Sequence, residues 1–182
     1  MDKVLIKVQN TPNPNARKFI VSAEVKSSGK ITFKTVEECM HVELACELFL
    51  LTNVTQIHFF ENVITVTQNG LTDWDRLTEN AKEVIQNFLP THDPDFYSAE
   101  EERRKTLSPE LQEIESILDR FIRPALRMDG GDLEVIEFQD QIVTIRYEGA
   151  CGSCPSAELG TLESIRMTLK EEFDPSIEVV TL

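Results

Sequence analysis

The sequence lacks any long apolar run. No stretch approaches the roughly 20 apolar residues that a membrane-spanning helix needs. The first residues, Met1 to Val4, lead directly into a strand pattern and do not have the plan of a signal peptide. From these absences we expect a soluble, cytoplasmic protein without a membrane partner.

Basic residues are also scarce. Of the 182 residues, 18 are Lys or Arg and 32 are Asp or Glu, so the net charge is −14. Residues 91–182 contain 9 basic and 21 acidic side chains (net −12), whereas residues 1–90 contain 9 and 11 (net −2). Because nucleic acids bind to basic surfaces, we expect no nucleic-acid partner.

Cysteines number only four, and only Cys151 and Cys154 lie close together in the sequence. That is too few for a disulfide framework. In a reducing compartment, a Cys-x-x-Cys pair indicates metal binding or redox chemistry instead.

The pattern of apolar residues predicts an α+β fold made of two small mixed α/β domains joined by a charged linker. Residues 1–90 form the first domain, with several strands, a helix over Val36–Leu51 and a second helix capped by Thr72. Residues 91–107 contain few apolar side chains and are predicted to be the linker, with room for a short helix in their charged part.

Residues 108–182 are predicted to form a three-stranded sheet with two helices. Ser108 begins the first helix and Pro124 kinks or ends it. A hairpin with Asp140 and Gln141 at its turn then leads to Cys151. After the second helix, the last strand is expected to run parallel to the strand before Cys151.

The dithiol of Cys151 and Cys154 lies where this strand pattern gives way to a helical one, with Pro155 suited to the first helical position. A helix N-terminus favours thiolate over thiol. From the residues alone three interpretations stay open: packing in a core, a redox dithiol resembling that of thioredoxin, or half of a metal or cluster site.

Cys39 and Cys46 are predicted to lie on one helix. Seven residues at about 1.5 Å each would separate them by roughly 10 Å, so they could not bind one metal ion together. We therefore expect both to be core residues.

Several motifs together resemble the Nfu family. Arg123-Pro124-Ala125, Asp129-Gly130-Gly131-Asp132 and Gly149-x-Cys151-x-x-Cys154-Pro155-Ser156 are similar to its C-terminal NifU domain. Thr11-Pro12-Asn13-Pro14-Asn15, Val63-Ile64-Thr65-Val66-Thr67 and Asp73-Trp74 are similar to its N-terminal domain.

This resemblance implies an iron–sulfur cluster carrier and not an enzyme. Cys151 and Cys154 would be the cluster ligands, two chains would share a [4Fe–4S] cluster, with [2Fe–2S] as the alternative, and the homodimer would deliver the cluster to apo-proteins. Upstream cluster assembly proteins would supply it. An exposed turn around the dithiol is expected to make the cluster labile. Glu148, Glu158 and other nearby acids could discourage anionic chelators, but we expect them to form a solvated face. A thioredoxin-like dithiol/disulfide protein remains the alternative.

Overall fold

The computed structural model describes residues 4–153 and 157–182. The chain divides into two compact units, Met1–Ser98 and Ala99–Leu182. Among the described residues, none of the helices is both long enough and apolar enough to cross a membrane.

The first unit contains a five-stranded sheet with the order β1-β2-β5-β4-β3, in which every neighbouring pair is antiparallel. Its strands are β1 (Ile6–Asn10), β2 (Ala16–Val21), β3 (Lys30–Phe33), β4 (Val54–Phe60) and β5 (Val63–Gln68). The hairpin of β4 and β5 turns at Glu61, whose φ of 49° is left-handed. Glu61 and Asn62 thus form a two-residue turn between the paired residues Phe60 and Val63.

The helices of the first unit are α1 (Val36–Cys39), α2 (Glu43–Phe49) and α3 (Trp74–Phe88). Helix α3 begins one residue later than expected, because Asp73 and not Thr72 caps it. The Asp73 carboxylate accepts hydrogen bonds from the amides of Asp75 and Arg76 at 2.9 and 3.2 Å.

The single helix predicted over 36–51 is wrong, because α1 ends after one turn and α2 begins at Glu43. Thr35 caps the start of that turn, because Glu38 N donates to Thr35 Oγ1, and the Glu38 carboxylate accepts from the amide of the preceding residue, Lys34. Val42 is extended, with φ −131°. The break therefore comes from one extended residue that a helical spacing of apolar residues does not reveal.

The second unit contains the predicted three-stranded sheet, and its strand order is β6-β7-β8. Its strands are β6 (Gly131–Gln139), β7 (Ile142–Gly149) and β8 (Glu178–Thr181). The hairpin of β6 and β7 turns at Asp140 and Gln141, both with positive φ, and β8 runs parallel to β7. The parallel pairing confirms the prediction for the last strand.

Four helices accompany this sheet in the described residues. They are α4 (Ala99–Arg104), α5 (Pro109–Phe121), α6 (Arg123–Met128) and α7 (Ala157–Glu172). The two long ones, α5 and α7, are the predicted pair. They bury Ile114, Leu118, Ile165 and Leu169 in the core of this unit. Pro124 was predicted to kink or end the first helix. In the structure α5 ends at Phe121, and Pro124 lies in the first turn of the next helix, α6.

The segment 91–107, expected to be a linker, is divided between the two units, which meet in the sequence at Ser98 and Ala99. Its first part belongs to the first unit, where His92 Nε2 lies 2.8 Å from the carbonyl oxygen of Val25. Its second part contains α4, and Arg103 donates to the carbonyl oxygen of Val135 at 2.8 Å. The domain bounds drawn from the sequence stay a prediction about which parts fold independently.

Candidate metal centre

Cys151 lies where β7 ends and a 3₁₀ turn over Ala150–Ser153 begins. It is only 7% exposed and belongs to the apolar core of the second unit. The expectation of an exposed turn is thus wrong for Cys151, although the next residue, Gly152, is exposed. Cys154, the second candidate ligand, and Pro155 lie outside the described residues.

Gly131 makes the space that the Cys151 sulfur fills. The two residues meet because β6 begins beside the end of β7: Gly131 pairs with Gly149, and Ala150 N donates to the Gly130 carbonyl oxygen at 3.0 Å. A methyl group at position 131 would overlap Cys151 Sγ and lie 2.8 Å from the Cys151 nitrogen. Since real Cβ atoms essentially never come that close, only glycine fits here.

The neighbouring glycines are needed for backbone conformation. Gly130 has φ +80° and Gly149 has φ +58°, both in the left-handed region that glycine adopts without steric cost. The Asp-Gly-Gly-Asp motif ends at Asp132, 17 positions before Gly149 begins the second motif. The two motifs thus form one local structure around Cys151.

A network of ion pairs centred on the buried Arg123 stabilises this structure. Its guanidinium is 1% exposed and forms ion pairs with Asp132 at 3.0 Å, Asp119 at 2.8 Å and Glu115 at 2.6 Å. Burial alone would lower the pKa of Arg123, but the charges of Glu115, Asp132 and Asp119 outweigh burial and raise it, so this side chain stays cationic.

Asp132 is the other centre of the network and is fully buried. Its Oδ1 accepts from Arg123 Nε and from the Leu133 amide at 2.7 Å, and its Oδ2 accepts from Arg127 Nε at 2.9 Å. The start of β6 is therefore tied to α6 by charge-assisted hydrogen bonds. Because Gly131 directly precedes Asp132 in the chain, these bonds also fix the position of Gly131 against Cys151.

The surroundings of Cys151 differ from the sequence-based expectation in the burial of Glu148. Glu148 is 5% exposed, so it is not part of a solvated face. Within residues 4–153 and 157–182, no group of three or more His, Cys, Asp and Glu side chains could hold a metal ion.

Cys39 and Cys46 are brought together, contrary to the sequence-based separation of roughly 10 Å. Their sulfurs lie 3.0 Å apart, because the break between α1 and α2 folds the chain back. Cys39 is fully buried, as predicted for a core residue, while Cys46 is partly buried and packs against the same core.

The N-terminal motif has a structural explanation. Trp74 Nε1 donates to the carbonyl oxygen of Pro14 at 2.8 Å, and the Arg17 guanidinium lies 4.9 Å from the centre of the Trp74 ring. Thr11 Oγ1 donates to the Asn13 carbonyl oxygen at 2.8 Å. These contacts fasten the proline-containing turn to the start of α3.

Sequence reasoning missed the parts played by Gly131 and Arg123 around the thiol. A signal for the ion-pair network was present, because Asp119, Arg123 and Arg127 follow one another at spacings of four residues along the chain. No comparable signal shows that Gly131 contacts Cys151, since that contact depends on the strand register.

Two protein-family models match this chain. A model described as "NifU-like domain" matches residues 114–180, and one described as "Scaffold protein Nfu/NifU N terminal" matches residues 6–92. The first therefore includes the Arg123 network, Gly131 and both cysteines of the Cys-x-x-Cys motif.

Curated proteins are similar over almost the whole chain. "NFU1 iron-sulfur cluster scaffold homolog, mitochondrial" from Homo sapiens is 32% identical over 182 residues, covering 97% of this chain and 71% of that protein. "NifU-like protein 4, mitochondrial" from Arabidopsis thaliana is 28% identical, with 98% and 70% covered. A solution structure of a NifU-like protein from Saccharomyces cerevisiae aligns with a TM-score of 0.47 and 23% identity, covering 54% of this chain and 91% of that one.

Proposed function

We propose that this chain, which belongs to the Nfu family of NifU-like proteins, is an iron–sulfur cluster carrier. Support comes from the order of the two family domains and from the human relative, whose name describes an iron-sulfur cluster scaffold. On this proposal the cluster is cargo that the chain binds and passes on, and the chain itself catalyses no reaction.

The observation that carries the proposal is the construction around Cys151. The Cys151 thiol lies at the end of β7 and packs against Gly131, where a larger residue would overlap the sulfur. The next residue, Asp132, is held by the buried Arg123. We assign Cys151 and Cys154 as the ligands, because thiolates are the usual ligands of iron–sulfur clusters.

We propose that two chains share one [4Fe–4S] cluster. Each chain offers two thiolates in its Cys-x-x-Cys motif, and a cluster of this type takes four. A two-fold axis through the cluster would make the two chains equivalent. A [2Fe–2S] cluster has the same ligand count and is the alternative cargo.

Transfer to an apo-protein follows as thiolate exchange. At each iron, one client thiolate replaces one thiolate of the carrier, and the released cysteine takes the proton that the client cysteine gives up. The iron keeps its ligand number throughout. Because each carrier chain holds only two of the four positions, two client cysteines can displace one chain completely before the other chain lets go.

The proposed partners are therefore a second copy of this chain, apo iron–sulfur proteins and an upstream protein that supplies the cluster. The cytoplasmic location expected from the sequence stays a prediction, and the names of the human and Arabidopsis relatives assign those proteins to mitochondria. Imaging of the tagged chain in its own cells would decide between the two compartments.

Anaerobic reconstitution tests the cluster proposal. The chain is incubated with iron and sulfide, desalted, and assayed for both elements and for broad visible absorption. We expect the wild-type chain to retain one [4Fe–4S] cluster per two chains, and the Cys151→Ser and Cys154→Ser variants to retain none. A client apo-enzyme added to the loaded protein should then gain activity faster than it does with free iron and sulfide.

Two controls sharpen this experiment. The Cys39→Ala and Cys46→Ala variants should bind the cluster as the wild type does, since both cysteines belong to the first unit and lie outside the proposed site. A loss of cluster in either variant would contradict the assignment. A colourless wild-type protein whose Cys151 and Cys154 instead cycle between dithiol and disulfide would favour the thioredoxin-like alternative.

A further inference from the structure

The first unit contains a second pair of thiols. Cys39 is the last residue of α1, Cys46 lies in the middle of α2, and the residues between them reverse the chain so that the two sulfurs are 3.0 Å apart. Cys46 donates a hydrogen bond to Cys39 Sγ, and Cys39 in turn donates to the carbonyl oxygen of Val36 at 3.2 Å.

We propose that Cys39 and Cys46 are a redox-active pair that forms an intramolecular disulfide by exchange with a low-molecular-weight disulfide such as glutathione disulfide. This modification site lies in the first unit and uses neither Cys151 nor Cys154. It is therefore independent of the proposed cluster chemistry.

The geometry favours a direct bond. A disulfide has a sulfur–sulfur bond of about 2.0 Å, so the two sulfurs need to approach by only about 1 Å. Of the three residues that connect α1 and α2, Met40 and His41 are exposed and Val42 is buried, so a small shift of this connection displaces only one buried side chain.

Burial assigns different parts to the two thiols. Cys39 is fully buried, and burial raises the pKa of its thiol to about 12, with further increases from the hydrogen bond and the charge of Cys46. Cys39 therefore stays protonated near neutral pH. Cys46 has access to solvent, so it is the thiol that can reach an external disulfide first.

The exchange takes place in two balanced steps. The Cys46 thiolate attacks one sulfur of glutathione disulfide, its S–S bond breaks, and one glutathione leaves with the proton that Cys46 gave up. Cys39 then attacks Cys46 Sγ and releases the second glutathione, which takes the Cys39 proton. Overall, two cysteine thiols lose two electrons and one glutathione disulfide becomes two thiols.

The second step needs no access from solvent. In the reduced protein Cys39 Sγ already lies 3.0 Å from Cys46 Sγ, so its attack on the mixed disulfide takes place within the chain, between two sulfurs that the fold holds together.

A metal site is a weaker interpretation of the same pair. A structural zinc ion takes four protein ligands. In the part of the chain that the structure describes, Cys39 and Cys46 are not joined by a third His, Cys, Asp or Glu side chain in a group that could hold a metal ion. Two sulfurs in contact match a disulfide better than a metal centre.

The test uses the 182-residue chain with Cys151→Ser and Cys154→Ser, so that Cys39 and Cys46 are its only thiols. The folded protein is equilibrated with glutathione buffers of increasing disulfide content, quenched with acid, alkylated in denaturant and weighed by mass spectrometry. We expect both thiols to be lost together, without added glutathione mass, and to return with dithiothreitol.

Matched variants follow the order of attack in the same background. Cys39→Ala should keep glutathione on Cys46, whereas Cys46→Ala should stay unmodified while folded, because its remaining thiol is buried. Circular dichroism checks that each variant is folded. If a single variant does not fold, the chain that keeps both Cys39 and Cys46 still shows whether the disulfide forms.

Three results would overturn the proposal. Both thiols could remain open to alkylation in the most oxidising buffer, or the chain with both cysteines could stop at the mixed disulfide. The protein could also be isolated with zinc whose removal by a chelator is needed before exchange begins. The last result would make the pair part of a metal site.

Discussion

At the scale of single residues, the contact between Gly131 and Cys151 predicts a sharp effect of one methyl group. In a Gly131→Ala variant the new Cβ would overlap Cys151 Sγ and would lie 2.8 Å from the Cys151 nitrogen and from the Glu148 carbonyl oxygen, two backbone atoms that shift only at a cost. We expect the second unit to lose about 1–3 kcal/mol of stability, as in other overpacked cores. Cys151 should move as well, so the variant should retain less reconstituted cluster than the wild type even without denaturant, where it is still folded.

Gly160→Ala is the matched control for that variant. Gly160 lies in α7, and a Cβ there would meet nothing within 4 Å. Since alanine is the better helix former, we expect a gain of about 0.5–1 kcal/mol and unchanged cluster content. Denaturant titration of both variants, with iron assayed on the same samples, makes the comparison. Equal cluster content in the two would show that the Gly131 contact does not position Cys151.

The buried charges predict a second residue-scale effect. Asp132→Asn keeps the size of the side chain but leaves Arg123 and Arg127 with one fewer negative partner, and breaking a buried ion pair costs about 3–5 kcal/mol. Glu163→Gln removes an exposed ion pair with Arg166 at 3.8 Å, which should cost less than about 1 kcal/mol. Urea unfolding followed by circular dichroism measures both. Similar losses in the two variants would mean that the Arg123 network does not stabilise the unit.

At the scale of elements, α4 belongs to the second unit and predicts where a stable fragment begins. Arg104 forms ion pairs with Glu115 at 2.9 Å and with Asp119 at 2.8 Å, and Glu115 is buried. Hydrogen bonds to charged groups contribute about 1.5–3 kcal/mol each. A fragment of residues 99–182 should therefore unfold at higher urea than one of residues 107–182.

Both fragments should still unfold cooperatively and bind the cluster, because the residues around Cys151 are present in each. If the shorter fragment is as stable as the longer one, the α4 contacts contribute nothing in solution. If neither unfolds cooperatively while the whole chain does, the predicted division into independently folding domains is wrong.

Most elements could be predicted because their signals are local. The hairpin turn at Asp140 and Gln141, the cap at Ser108 and the alternation along β7 depend on neighbours in the sequence. The break between α1 and α2 could not, because apolar spacing is helical on both sides of Val42. The burial of Cys151 could not either, since the register that places Gly131 beside it joins residues far apart in the chain.

At the scale of the whole molecule, the negative charge bears on how two chains associate. Residues 91–182 carry a net charge of −12, so two copies repel each other whenever they approach through this part of the chain. Salt shortens the range of that repulsion, from about 10 Å at 0.1 M to about 3 Å at 1 M. A dimer joined only by surface contacts should therefore weaken as salt is lowered.

A dimer joined by a shared cluster should respond differently. Four iron–thiolate bonds, two from each chain, would hold the copies together despite the repulsion, so we expect the loaded protein to sediment as a dimer at low and at high salt. Removal of the iron by a chelator, or the Cys151→Ser change, should leave monomers, most completely at low salt. Sedimentation velocity with iron and sulfide assayed across the boundary measures mass and cargo together. A monomer that carries four irons, or a dimer that persists unchanged after chelation, would refute the shared site.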